Sequence, residues 1–180
     1  MLLDGPGLGG GEKSIAALIR ETAECDLILW VLAANRPARA IDAQALAELR
    51  ASFAGRQERR PPPILAVMTH IDRLRPFAEW APPYDLRSDT PKAQAIRAAM
   101  AAVAEDLGLA AEDIVPVCLD ENVGRYNVDA VWARIAALLP EARAAQLLRL
   151  LAEAGKSRDW RLVWSQAVGA GRTLVKLWRE

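Results

Sequence analysis

The sequence predicts an α/β fold: a parallel sheet flanked by helices, with a helical extension at its carboxyl end. Three observations predict it. Short apolar runs recur at 27–33, 64–68 and 114–119; helical patterns fill the gaps between them; and 180 residues are enough for one sizeable core but not two.

The first run, Leu27-Ile-Leu-Trp-Val-Leu-Ala33, is continuous rather than alternating, which predicts a strand buried on both faces. Ile64-Leu-Ala-Val-Met68 and Ile114-Val-Pro-Val-Cys-Leu119 repeat the pattern. Between the first two runs, Ile41, Ala45, Leu46 and Leu49 share one side of a helix predicted to reach Phe53. Asp89-Thr90 and Pro91 supply a cap and a first helical residue for a second helix, which ends near Leu107. A third begins near Val128 behind Asn127 as N-cap and passes Trp132, Ile135 and Leu138. Strand and helix alternate, so the strands are expected to run parallel, joined by right-handed crossovers. Prolines and aromatics at 75–89 predict an ordered loop, and Pro140 predicts a break. The expected division is therefore 1–139 for the sheet domain and 140–180 for the helical extension.

Composition excludes several classes. Twenty-three basic and 23 acidic residues cancel, so neither a polybasic nucleic-acid arm nor an acidic tail is present. Cys25 and Cys118 are too few for a disulfide framework and lack zinc-ligand spacing, which fits a reducing, cytoplasmic setting. The longest apolar run falls well short of the ~20 residues of a spanning helix, and no signal peptide is encoded.

Three segments carry chemistry. Asp4-Gly-Pro-Gly7 follows an apolar strand end. There a carboxylate can hold a Mg²⁺-bound water, and the N–H of Gly7, unshielded by a side chain, can approach a phosphate oxygen. Read alone, it is also a plain proline-glycine turn. Thr69-His-Ile-Asp72 directly follows the second apolar run. A carboxylate at a strand's carboxyl edge can accept two parallel hydrogen bonds from guanine N1–H and N2–H₂, which adenine does not offer. Its bland reading is a polar loop with a helix-capping aspartate. His70, the only histidine, has no second catalytic group beside it and suits laying its ring along a base. At Val117-Cys-Leu119, backbone N–H groups could meet a base carbonyl, or Cys118 could simply pack at a strand end.

In this order and at these strand ends, the three segments resemble the downstream half of a P-loop GTPase of the Era-like (HSR-type, translation-factor-related) kind, over about 2–139. Asp4 to Gly7 is similar to that family's third motif, D-x-P-G. Thr69 to Asp72 is similar to the fourth, N/T-K-x-D, and Val117-Cys118-Leu119 stands where the fifth, S-A-K, belongs. The resemblance implies a partial P-loop NTPase sheet binding GTP or GDP with Mg²⁺. Asp4, Gly7, Thr69, His70, Asp72, Cys118 and Leu119 would stand at the nucleotide, with Asp4 reaching the metal through water. It implies GTP hydrolysis in the full-length protein, with no catalytic residue assigned. His70 replaces the usual lysine and Cys118-Leu119 replace Ser-Ala, departures that weaken base stacking and carbonyl contacts but leave the discriminating Asp72.

The family's phosphate-cradling G-x-x-x-x-G-K-S/T lies upstream of D-x-P-G, and only three residues precede Asp4, so a chain truncated upstream is expected. Gly7 to Ser14 matches the P-loop spacing except for Glu12. That side chain would put a charge where the backbone must close on phosphate, and the segment reads instead as a glycine-rich switch loop. Leu8 stands where many such enzymes carry a water-orienting glutamine, so another residue or a partner would position water. A nucleotide-independent interaction module is the second function class, and an ATPase using Gly7 to Ser14 the third. The tail sets Trp160, Trp164, Val168, Leu174 and Trp178 against Arg158, Arg161, Arg172, Lys176 and Arg179. It is expected to dock on the domain's own core, or else on a protein partner or a membrane surface.

Overall fold

Strand residues alternate between two faces, and the central strand shows where each face goes. In β2 (Ile64–Thr69), Ala66 and Met68 enter one core, while Leu65 and Val67 enter another. In this computed structural model, the residues described are 4, 5, 7, 8, 12–36, 38–54 and 61–156, without the side chains of 12, 145 and 148–156. They form an α/β structure with a three-stranded, fully parallel sheet in the order β1-β2-β3 and four α-helices. β1 (Ile28–Ala33) pairs with β2 from Ile28 opposite Ile64 to Ala33 opposite Thr69, and β3 (Ile114–Pro116) pairs with β2 from Ala66 to Met68. The main-chain N–H of Val117 carries the pairing one residue further by donating to the Met68 carbonyl at 2.8 Å.

Three helices, α1 (Glu12–Thr22), α2 (Ala40–Phe53) and α3 (Pro91–Leu107), supply the larger core. Ile15, Leu18, Ala45, Leu46, Leu49, Ile96 and Val103 meet Ile28, Trp30, Leu32, Ala66 and Met68 there. On the other face α4 (Val128–Lys156) lays Leu138, Val131 and Ile135 over Leu65, Val67, Val115 and Val117. A single helix covers only the β2–β3 side of that face. Leu29 and Val31 of β1 consequently stay 38% and 64% exposed, so the strand expected to be buried on both faces is buried on one. The third strand is also shorter than its apolar run, because Cys118 turns away to form an isolated antiparallel bridge with Tyr126.

α3 begins as its sequence predicts: the Thr90 side chain accepts from the Ala93 N–H, and Pro91 occupies the first turn. It stops at Gly108, whose φ of 57° suits a residue without Cβ. Asn127 does not take its expected place as an N-cap. It sits in the left-handed region (φ 62°) and its side-chain amide donates to the Pro116 carbonyl at 2.9 Å, closing the end of β3. Pro140 does not break the helix either. α4 passes through it, although the ring removes one hydrogen bond and crowds the preceding turn. Buried Leu138 and Ala142 on either side hold the helix against the sheet, so packing overrides the local preference. Among the described residues no helix is long and apolar enough to cross a membrane. The tryptophan-rich tail beyond residue 156 lies outside the described residues.

Candidate functional site at the carboxyl end of β2

Parallel strands deliver side chains to loops at their carboxyl ends, and here the loop after β2 meets the segment after β3. Thr69, the last residue of β2, donates its hydroxyl to the Leu32 carbonyl at 3.0 Å, tying the ends of β1 and β2 together. The same oxygen lies 2.9 Å from His70 Nδ1. Since its one proton is committed to Leu32, Nδ1–H is the donor in that pair. His70 itself takes φ 59°, a left-handed turn that exposes its ring and starts the 3₁₀ turn Ile71–Arg73. Ile71 is fully buried and anchors that turn in the larger core.

Asp72 follows, with a side chain 12% exposed and Arg73 Nε 3.8 Å from its carboxylate. A pair that long, with the arginine over half exposed, contributes little and gives way easily to another donor. Cys118 lies close enough for Asp72 to act on its ionisation. Burial pushes the Cys118 thiol above its ordinary 9.0, a hydrogen bond from the Asp120 backbone works against this, and the Asp72 carboxylate adds to the rise. Asp72 and Cys118 thus lie near one another beyond the ends of β2 and β3. Cys118 is buried, while Leu119 is 54% exposed at the rim.

Aromatic contacts lock the two loops together. Trp80, Tyr84 and Tyr126 stack with centroids 5.3 to 6.1 Å apart. Trp80 Nε1 donates to the Val123 carbonyl at 2.7 Å and the Tyr126 hydroxyl to the Tyr84 carbonyl at 3.0 Å. The 75–89 loop is ordered in this way, as its composition predicts, and it backs the site from the side of α3.

The sequence gives no notice of Lys92. It is fully buried in the first turn of α3, and its ammonium donates to the carbonyls of Asp72 (2.8 Å), Leu74 (2.6 Å) and Pro76 (3.4 Å). Burial lowers its pKa from 10.5, opposed by the negative charges of Asp72 and Glu79 and by Cys118. A lysine beside a proline at a helix start reads as a surface residue, and only the three facing carbonyls reveal its task.

Asp4 and Gly7 stand apart from this group. Both are exposed, and a Cβ added to Gly7 would meet nothing within 4 Å. Gly5 lines a cavity of about 760 Å³ with Leu18, Thr22, Leu27, Leu29, Trp132 and Ile135, at the amino end of β1. Thr69 and Asp72 stand beyond its carboxyl end, about 16 Å away along a six-residue strand. Among the described residues no three His, Cys, Asp or Glu side chains converge on a point that could hold a metal. Lys13 and Ser14 of the alternative P-loop spacing begin α1, a helix not foreseen although Ile15, Leu18, Ile19 and Thr22 carry its period. Gly9 to Gly11 lie outside the described residues.

No family model, curated protein or solved structure matches the chain.

Proposed function

We propose that this chain carries the guanine-recognition part of a P-loop GTPase-type domain, with Asp72 reading the base. What supports this most is the position of Asp72 and Cys118 beyond the carboxyl ends of neighbouring parallel strands, with the Asp72 side chain 12% exposed and near enough to the buried Cys118 to raise its pKa. A carboxylate in that setting accepts from guanine N1–H and N2–H₂ together, two charge-assisted bonds in one plane. Adenine presents no such pair of donors. The exposed His70 ring lies next in the chain, available to cover one face of the base, and the Thr69 hydroxyl fixes its orientation. The bound species would be GTP or GDP with Mg²⁺.

A nucleotide-independent interaction module is the second reading, and two observations favour it. Gly5, next in the chain to Asp4, lines the cavity at the amino end of β1, the opposite end from Asp72, and Leu29, Val31 and Trp132 leave apolar surface open around that strand. Saturation-transfer NMR of the intact chain with guanosine and adenosine separates the two readings. Guanosine has only the base and sugar to offer, so binding is expected near the millimolar range, about 4 kcal/mol. A preference for guanosine supports base reading; equal or absent signals support the interaction module.

A further inference from the structure

The buried Lys92 raises a question that core packing does not answer. An ammonium is strongly hydrated and is rarely fully buried unless it is paired. Among the described residues no carboxylate forms an ion pair with it. Its three N–H donors are instead spent on three main-chain carbonyls of one loop, with the Trp80 ring 5.5 Å away. Those carbonyls belong to Asp72, Leu74 and Pro76, alternate residues of the turn that presents the candidate base-reading carboxylate. The loop is therefore wrapped around a cation that α3 supplies from 20 residues further along the chain. Without the charge the three carbonyl dipoles would point at one another across an apolar gap, and among the described residues no other hydrogen bond ties the Asp72 carbonyl to α3.

We propose that Lys92 is the positioning residue of the base site: its ammonium gathers the Asp72, Leu74 and Pro76 carbonyls and so fixes the direction in which Asp72 presents its carboxylate. The inference rests on the base-reading function above and adds to it a residue that need not touch nucleotide. It also accounts for a buried lysine in the first turn of α3, where its charge gains nothing from the helix dipole. Trp80 contributes by closing the outer side of the cage, with its own indole N–H held by Val123.

Lys92→Met removes the donors and keeps the length and volume of the side chain. Two readouts are made on the full chain: amide hydrogen exchange, and guanosine-over-adenosine preference by NMR titration. In Lys92→Met the amides of 71–74 are expected to exchange at least tenfold faster, while those of Leu46 and Leu49 in α2 stay within about twofold. The guanosine preference is expected to fall at least fivefold. Lys92→Arg retains the charge but spreads its donors over a planar fork, and is expected to lose about half of the preference in logarithmic terms; if the methionine variant fails to fold, the arginine variant decides. Exchange that rises equally in loop and α2 would make Lys92 a contributor to global stability alone and overturn the proposal. So would a guanosine preference that survives in the variants. A wild-type chain with no guanosine preference would instead bring down the base-reading function itself, and the positioning role with it.

Discussion

Ionisable side chains around the site make opposite demands on pH. Cys118 has a raised pKa, so between the unfolded thiol's 9.0 and its folded value the native state binds more protons than the unfolded state. Its contribution is fully present below 9.0 and is lost as the pH climbs through the folded value. Lys92 has a lowered pKa, so below 10.5 there is a window in which the unfolded state holds the extra proton and stability gains with pH. Urea denaturation from pH 7 to 11 tests both signs. The stability difference between wild type and Cys118→Ala is expected to shrink above pH 9, and that between wild type and Lys92→Met to grow toward 10.5. A difference that is flat with pH for either variant would mean that the group titrates as it does in an unfolded chain. The thiol itself is expected to alkylate far more slowly at neutral pH than the half-buried Cys25, since only the thiolate attacks.

Among the helices, α4 is the one that packing holds against its own sequence. Pro140 faces solvent, between Leu138 and Ala142, which do not. Pro140→Ala restores one hydrogen bond and relieves the ring's clash without disturbing the buried neighbours. It is expected to stabilise the fold by about 1–3 kcal/mol, read as a rise in Tm; an unchanged or lower Tm would mean that the helix is bent to fit the sheet at that point. Much at this scale was legible in the residues. The apolar runs located the three described strands, and Thr90-Pro91 marked the start of α3, because an apolar run and a helix cap are local signals. What was illegible depends on distant partners. Burial of β1 on one face only follows from how far α4 reaches, not from Leu29 or Val31. The Trp80–Tyr84–Tyr126 cluster joins residues more than 40 positions apart. α1 was hidden behind a glycine-rich run read as a loop. Asp72 and Cys118 are legible as candidates because each stands at or just past the end of an apolar run; Lys92 is not, because nothing local distinguishes a caged lysine from a surface one.

For the molecule as a whole, the layering leaves a consequence at β1. Among the described residues this strand pairs with β2 alone, carries no charge or proline along its length, and exposes Val31 and Leu29 near a 66% exposed Trp132. Such an edge invites pairing with another chain. Sedimentation of the wild-type chain is expected to show association that rises with concentration, and Val31→Lys is expected to suppress it while changing stability by no more than about 0.5 kcal/mol. Association that persists in the variant would place the contact elsewhere.

The central claim is that Asp72 chooses the base, and a nucleoside competition tests it most directly. Asp72→Asn sets an N–H₂ donor against a guanine donor, at a cost on the order of 2–4 kcal/mol, roughly 30- to 1,000-fold. Xanthine has a carbonyl where guanine carries its 2-amino group, so the new amide can donate there while its own oxygen accepts from N1–H. With guanosine, xanthosine and adenosine competing for the intact chain, wild type is predicted to favour guanosine and Asp72→Asn to favour xanthosine, with adenosine weak in both. An unchanged order of preference in the variant would contradict the account and reduce Thr69 to Asp72 to a polar loop held in place by Lys92.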